Sequence, residues 1–256
     1  MFKTSLAVLF ALFLCGLAGA AEKIQDDPNR FVTFVGANPF VMIADTTQHG
    51  LDLAGDQTGQ CRIRFNSRPS ASNNFGLIKD FGPGEIRASF GLYIENHDPF
   101  GTLAAFTPNI DQSGAGEVKG VIEIPTPVVG EWHTYTYVYH SSTIPHGGSF
   151  DFFIDGKFVD STVGIYADKN GGLNERTYNS AGAFRIGGPD TSFDGSVDSC
   201  AIWNVAKTPH QVKKMKKGDV DVADPGLVSY WSFDGNGNDA TPTDNTLLPV
   251  NGVQFN

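Results

Sequence analysis

Apolar and polar residues alternate in short runs along most of this chain. Arg30–Gly36 (RFVTFVG), Cys61–Phe65 (CRIRF), Ser89–Glu95 (SFGLYIE) and Gly120–Ile124 (GVIEI) each repeat with a period close to two. That period marks a strand with one face against a core. His133–His140 (HTYTYVYH) sets Tyr135, Tyr137 and Tyr139 on one face, where they are expected to pack in the sheet or core. Ser149–Ser161 reads as a hairpin, because Asp155-Gly156 tolerates the positive φ angles of a tight turn. Ala183–Gly188 (AFRIGG) and Val197–Trp203 (VDSCAIW) continue the pattern. One helix is predicted over about 208–217, with Thr208 as N-cap, Pro209 in the first turn and Gly218 as the stop. No helix alternates with the strands, so a parallel α/β sheet does not fit. The prediction is all-β: a jelly-roll β-sandwich of two antiparallel sheets with one short helix. Lys217–Gly226 (KGDVDVADPG) separates off a last apolar run.

The first residues follow another logic. Lys3, the apolar run Leu6–Leu14 and the small residues Gly16–Ala20 predict a secretory signal peptide over 1–20, cut before Ala21. The run is shorter than the roughly 20 apolar residues of a membrane span. Cys15 follows Leu14 rather than a small residue, so a lipoprotein signal does not fit. The expected product is 21–256, secreted or periplasmic/extracellular, with no membrane span. The formal net charge is −10, and losing Lys3 would make it −11. Such an acidic chain repels phosphate backbones, so nucleic acid is not expected as a partner. The basic cluster Lys213, Lys214, Lys216 and Lys217 reads as the solvated end of the helix. Two cysteines survive cleavage, Cys61 and Cys200, each within an alternating apolar set. In an oxidising compartment they are expected to form a disulfide; two buried free thiols are the alternative.

The ordered set of motifs resembles the laminin-G-like jelly-roll domains of the concanavalin A-like lectin/glucanase superfamily. The residues that carry the resemblance are Phe34–Asp45 (FVGANPFVMIAD), Val128–His140 (VVGEWHTYTYVYH), Asp151–Thr162 (DFFIDGKFVDST), Phe184–Gly188 (FRIGG) and Phe193–Met215. Ser199 and Gln211 depart from the family pattern, which has Glu at both places. Gly226–Asn245 resembles the segment that usually opens such a domain, yet it lies at the C-terminus. Residues 226–256 either fold back to supply a strand, making 21–256 one domain, or form the stub of a second repeat. The exposure of Trp231 and Phe233 in a stub favours the first.

Catalytic signatures do not emerge. Glu117 and Glu123 flank an apolar strand with no acidic partner between them, unlike the paired carboxylates of a glycosidase. The tyrosines of His133–His140 could be mistaken for a lyase site. No G-x-S-x-G elbow or H-E-x-x-H helix is present. Metal is the stronger candidate, and calcium, as a structural ion, the stronger metal. The loop with Asp190, Asp194 and Asp198 offers carboxylates, and the resemblance implies that Asp198 is a ligand with backbone oxygens near Gly36 and Asn38. The alternative is that Asp198 caps the start of a strand. Asp234–Asp239 (DGNGND) spaces its oxygens like the start of an EF-hand, but Asp239 stands where the loop needs Gly and Asn245 where it needs Glu, so it reads as a turn. Trp132, Trp203 and Trp231 lie in motif strands, and none is assignable to a sugar platform. The expected function is an exported, non-catalytic, calcium-stabilised binding module for a polysaccharide or for a cell-surface or matrix protein. The alternative is a polysaccharide lyase or glycoside hydrolase on the same fold.

Overall fold

A computed structural model of the chain describes residues 30–53, 55–70, 73–80, 88–96, 101–110, 117–141, 148–163, 182–188 and 192–256. The expected leader, 1–20, and Asp190 lie outside them. The first strands are β1 (Val32–Phe34), β2 (Phe40–Ile43), β3 (Gln57–Phe65), β4 (Phe75–Asp80) and β5 (Ala88–Asn96). Then come β6 (Thr102–Ile110), β7 (Glu117–Ile124), β8 (Trp132–His140), β9 (Ser149–Ile154) and β10 (Lys157–Val163). β11 (Phe184–Gly187), β12 (Gly195–Trp203), helix α1 (Pro209–Lys214), β13 (Leu227–Trp231), β14 (Leu248–Val250) and β15 (Val253–Phe255) complete the order.

The strands form an all-β sandwich. One sheet has eight strands in the order β10-β9-β8-β3-β12-β1-β15, with β13 also paired to β12. The other has seven, in the order β14-β2-β11-β4-β5-β6-β7. Pairings between these strands are antiparallel. The alternation read in the sequence selects the core. Val32, Phe34, Ile63, Phe65, Tyr135, Tyr137 and Tyr139 of the first sheet meet Val41, Phe75, Leu77, Phe90, Phe184 and Ile186 of the second. Phe193 lies among Phe34, Phe65 and Phe75, with ring centroids 5.2–5.5 Å apart. At Gly59 there is no side chain, and the Tyr137 ring occupies that space.

Local signals set the turns. Asp155 and Gly156 take φ of 51° and 70°, which closes the β9–β10 hairpin. Thr208 caps α1 by accepting from the backbone N–H of Gln211, while the Gln211 side chain accepts from the Thr208 backbone, a reciprocal capping box. Gln211, a departure from the family pattern, therefore holds the helix start. Cys61 and Cys200 face each other across β3 and β12 with Cα atoms 4.2 Å apart, and they form a disulfide.

The segment 226–256 enters both sheets. β13 pairs with β12, β15 with β1 and β14 with β2. Asn251 and Gly252, with φ of 53° and 78°, turn the chain from β14 to β15, so this short hairpin bridges one edge of the sandwich. Trp231 is fully buried and stacks on Phe184 of the opposite sheet at 5.4 Å. Asn245 fixes the loop between: its Oδ1 accepts from His49 N at 2.6 Å, and its Nδ2 donates to His49 O and Ser229 Oγ at 2.8 and 2.7 Å.

Candidate functional site

Alternation also decides what faces outward. In β3, Cys61, Ile63 and Phe65 enter the core, so Arg62 and Arg64 project from the outer face. The register pairs Arg64 with Trp132 of β8 on one side and with Ser196 of β12 on the other. Ser196 in turn pairs with Thr33 of β1. One outward row, Thr33, Ser196, Arg64 and Trp132, thus crosses four adjacent strands. Phe31, two residues before Thr33, shares its face. The other end of this outer face is covered by a second apolar cluster of Val138, Phe153, Ala201, Trp203, Tyr230 and the α1 residue Val212. Cover by α1 therefore stops short of the row.

The row is built around one cation. The guanidinium carbon of Arg64 lies 4.9 Å from the ring centroids of both Phe31 and Trp132. The two rings meet edge to face at 5.6 Å. Arg64 Nη2 donates to Ser196 Oγ at 3.2 Å, while its buried Nε has no acceptor among the described residues. Arg62 stands 5.5 Å from the Trp132 ring and donates to Asp198 Oδ2 at 3.2 Å. Phe31, Arg62, Arg64 and Trp132 are all half-buried. The other tryptophans are fully buried, with Trp203 Nε1 donating to Asp224 and Trp231 Nε1 to the carbonyl of Asn245. Trp132 follows a turn from Val128 to Glu131 in which Gly130 takes φ of 85°, the third-position geometry of a type II turn. That turn leaves Val128 and Val129 exposed beside the aromatic pair.

Asp198 occupies a β-bulge. β12 pairs Val197 with Ile63 and Ser199 with Arg62, so Asp198 is the extra residue. It also lies at the seam on the other edge of β12, where pairing passes from β1 to β13. The carboxyl is buried, and burial pushes its pKa up to about 6; Arg62 opposes the shift and Asp234 adds to it.

The residues expected to share a calcium ion are not brought together. The register sets Gly195, not Asp198, opposite Phe34. Asp198 is therefore three residues from one end of that pair, and Gly36 two residues beyond the other. At about 3.3 Å per residue this separates them by about 16 Å. The carbonyl of Asn38 instead accepts from the Asn251 side chain at 3.2 Å. Asp194 is exposed at the start of β12, about 13 Å from Asp198 by the same rise. Asp198 caps no strand start either: it lies mid-strand and meets Arg62. In the Asp234–Asp239 loop, Asp239 accepts from the backbone of Tyr230, Thr241 and Asn245 and from Thr243 Oγ1. That carboxylate organises the turn. Among the described residues no group of three or more His, Cys, Asp or Glu is placed to hold a metal. Glu123 is exposed on β7.

A family model for the concanavalin A-like lectin/glucanases superfamily matches residues 36–213. The chain belongs to that superfamily. Two solved structures show the shared fold at low identity. A candidate carbohydrate binding protein from Bacteroides ovatus has a TM-score of 0.57 at 17% identity, over 89% of this chain and 59% of its own. This superfamily member therefore spans less than two thirds of that protein. The heptameric SAP-like pentraxin of Limulus polyphemus has a TM-score of 0.54 at 15% identity, over 92% of this chain and 96% of its own. No curated protein matches the chain.

Sequence reasoning missed Phe31, Arg62 and Arg64 as site residues. The signal available was the R-I-R alternation of Cys61–Phe65, which sends two arginines to the non-core face of a strand.

Proposed function

We propose that this superfamily member is an exported, non-catalytic glycan-binding module whose ligand rests on Trp132 and Phe31, with Arg62 and Arg64 beside them. The observation that carries this is Trp132, the one tryptophan left half-exposed, in a cluster with a second ring and two guanidinium groups. Pyranose rings offer an apolar C–H face and a rim of hydroxyls, and binding sites match these with aromatic surface and a few placed polar groups. The disulfide and the leader pattern support export. The fold shared with the Bacteroides ovatus protein, itself described as a candidate carbohydrate binder, supports the same reading. No helix among the described residues is long and apolar enough to cross a membrane.

The experiment is a glycan array probed with wild type and Trp132→Ala, followed by product analysis of each bound glycan after incubation. The expected result is a restricted glycan class bound by wild type, lost at least tenfold in the variant, and recovered unchanged. Equal binding by Trp132→Ala would overturn the platform. Cleaved glycan would favour the lyase or hydrolase alternative.

A further inference from the structure

Resting on the platform reading, we infer that the ligand is a glycan end carrying one carboxylate, and that Arg64 is the group that meets it. Three other half-buried or buried cations of the sandwich have their own anions. Arg62 meets Asp198 at 3.2 Å, Lys79 meets Asp45 and Asp52, and Lys207 meets Asp224 at 2.8 Å. Arg64 has no carboxylate partner among the described residues. Of its five N–H donors, one is used on Ser196 at the long distance of 3.2 Å, and the buried Nε has no acceptor. A second orphan lies on the same face: Thr134, paired with Arg62 across β3 and β8, is 1% exposed, and its Oγ1 has no partner. Buried donors left unmet are costly, and a ligand at the outer face reaches neither of these two atoms; what it can meet are the remaining N–H groups on the terminal nitrogens of Arg64.

The flanking rings explain why the acceptor should be a carboxylate. Phe31 and Trp132 meet each other edge to face and the guanidinium rests against both, 4.9 Å from each ring centroid, which limits its reorientation. A planar fork suits a two-oxygen anion better than a hydroxyl. The rings also displace water from the cation, so its attraction for an anion exceeds that of a solvated surface arginine. Charge limits the ligand further. Arg62 is already engaged by Asp198, and Arg64 is left without a carboxylate among the described residues, so one anionic group suffices to complete the Arg64 fork. The chain as a whole carries −10, so a polysulfated or polyuronate strand would be repelled beyond the first contact. A terminal uronic or sialic-type residue on an otherwise neutral glycan satisfies both conditions.

The test uses oligosaccharides ending in glucuronate, galacturonate or sialic acid, each compared with its own methyl ester. Esterification removes the charge and leaves the ring. Calorimetric titrations are run on wild type, Arg64→Gln, Arg64→Lys and Trp132→Ala, with a thermal melt of each variant. The expected result is an acid bound at least tenfold more tightly than its ester, a gap that Arg64→Gln abolishes and that raised salt narrows. Arg64→Lys, which keeps the charge and loses the fork, should retain part of the gap, and it decides the matter if Arg64→Gln does not fold. Equal affinity for acid and ester, with both lost in Trp132→Ala, would overturn the acidic ligand and leave the platform standing. An acid preference that survives Arg64→Gln would overturn the role of Arg64. Absence of any binding sensitive to Trp132→Ala would overturn both.

Discussion

Replacing Asn245 with Ala tests whether residues 226–256 are part of the sandwich or only rest against it. Asn245 is fully buried and joins this segment to the β2–β3 connection. The substitution removes four hydrogen bonds: from His49 N, and to His49 O, Ser229 Oγ and, at 3.3 Å, Thr243 Oγ1. The backbone bonds of Asn245, from Trp231 Nε1 and to Asp239, remain. Ser229 is fully buried, so its lost partner counts nearly in full, although Thr243 Oγ1 at 3.5 Å offers partial relief. His49 is exposed, so water can replace part of its loss. With about 1–3 kcal/mol for a buried orphan and about 0.5–1.5 kcal/mol for a bond that water can replace, the expected cost is about 2–4 kcal/mol. For a chain of this size that corresponds to a fall in melting temperature of roughly 4–16 °C. Urea unfolding with the disulfide intact should show a lower midpoint at unchanged slope. Asn236→Ala, exposed on the same stretch of chain, should cost less than about 1 kcal/mol. If Asn245→Ala unfolds at the wild-type midpoint, the segment is not held as described.

Three further outcomes follow from the same geometry. The Cys61–Cys200 bond joins residues 139 apart in sequence, so its reduction, or Cys200→Ala, should lower stability by about 2–5 kcal/mol in urea titrations; an unchanged midpoint would count against a constraining bridge. Asp198 has a folded pKa raised to about 6, so the folded state binds more protons than the unfolded state between its ordinary value near 4 and 6, and this group's contribution falls as pH rises through that window and is flat above it. Asp198→Asn should remove that decline, and parallel stability–pH curves for the two proteins would reject the assignment. Asp198 is engaged with Arg62 and stands about 16 Å from Gly36, so any rise in melting temperature with calcium over chelator should be the same in wild type and Asp198→Ala; a rise lost only in the variant would restore Asp198 as a ligand.

The sequence displayed what depends on neighbours along the chain. Asp155-Gly156 and Thr208-Pro209 carry their turn and cap in a few residues, and the alternating sets foretold which tyrosines and cysteines face inward. Register was not legible. Asp198 lies in β12 and Gly36 just beyond the end of β1, and these two strands do pair, yet the pairing Phe34–Gly195 sets the two residues on opposite sides of it. Gln211 stood only as a departure from the family pattern, because its reciprocal bond with Thr208 depends on cap geometry. The platform was hidden for a stronger reason. Thr33, Arg64, Trp132 and Ser196 are scattered along the chain, and only the strand order β1-β12-β3-β8 sets them in one row. Trp132 was indistinguishable from Trp203 and Trp231 until α1 was seen to cover one end of the outer face and leave the other.

The most direct measurement of the central claim is a titration of nitrogen-15-labelled protein with the tightest-binding glycan, observed at the three tryptophan indole N–H signals. Trp203 and Trp231 donate to Asp224 and Asn245 inside the protein, while Trp132 is only half-buried. Trp132→Phe identifies its signal by deletion. The Trp132 signal should move with ligand, saturate with the calorimetric affinity, and leave the other two in place. A bound glycan that shifts neither Trp132 nor its neighbours Arg62 and Arg64 would place the site elsewhere on the protein and rule out the Trp132 platform.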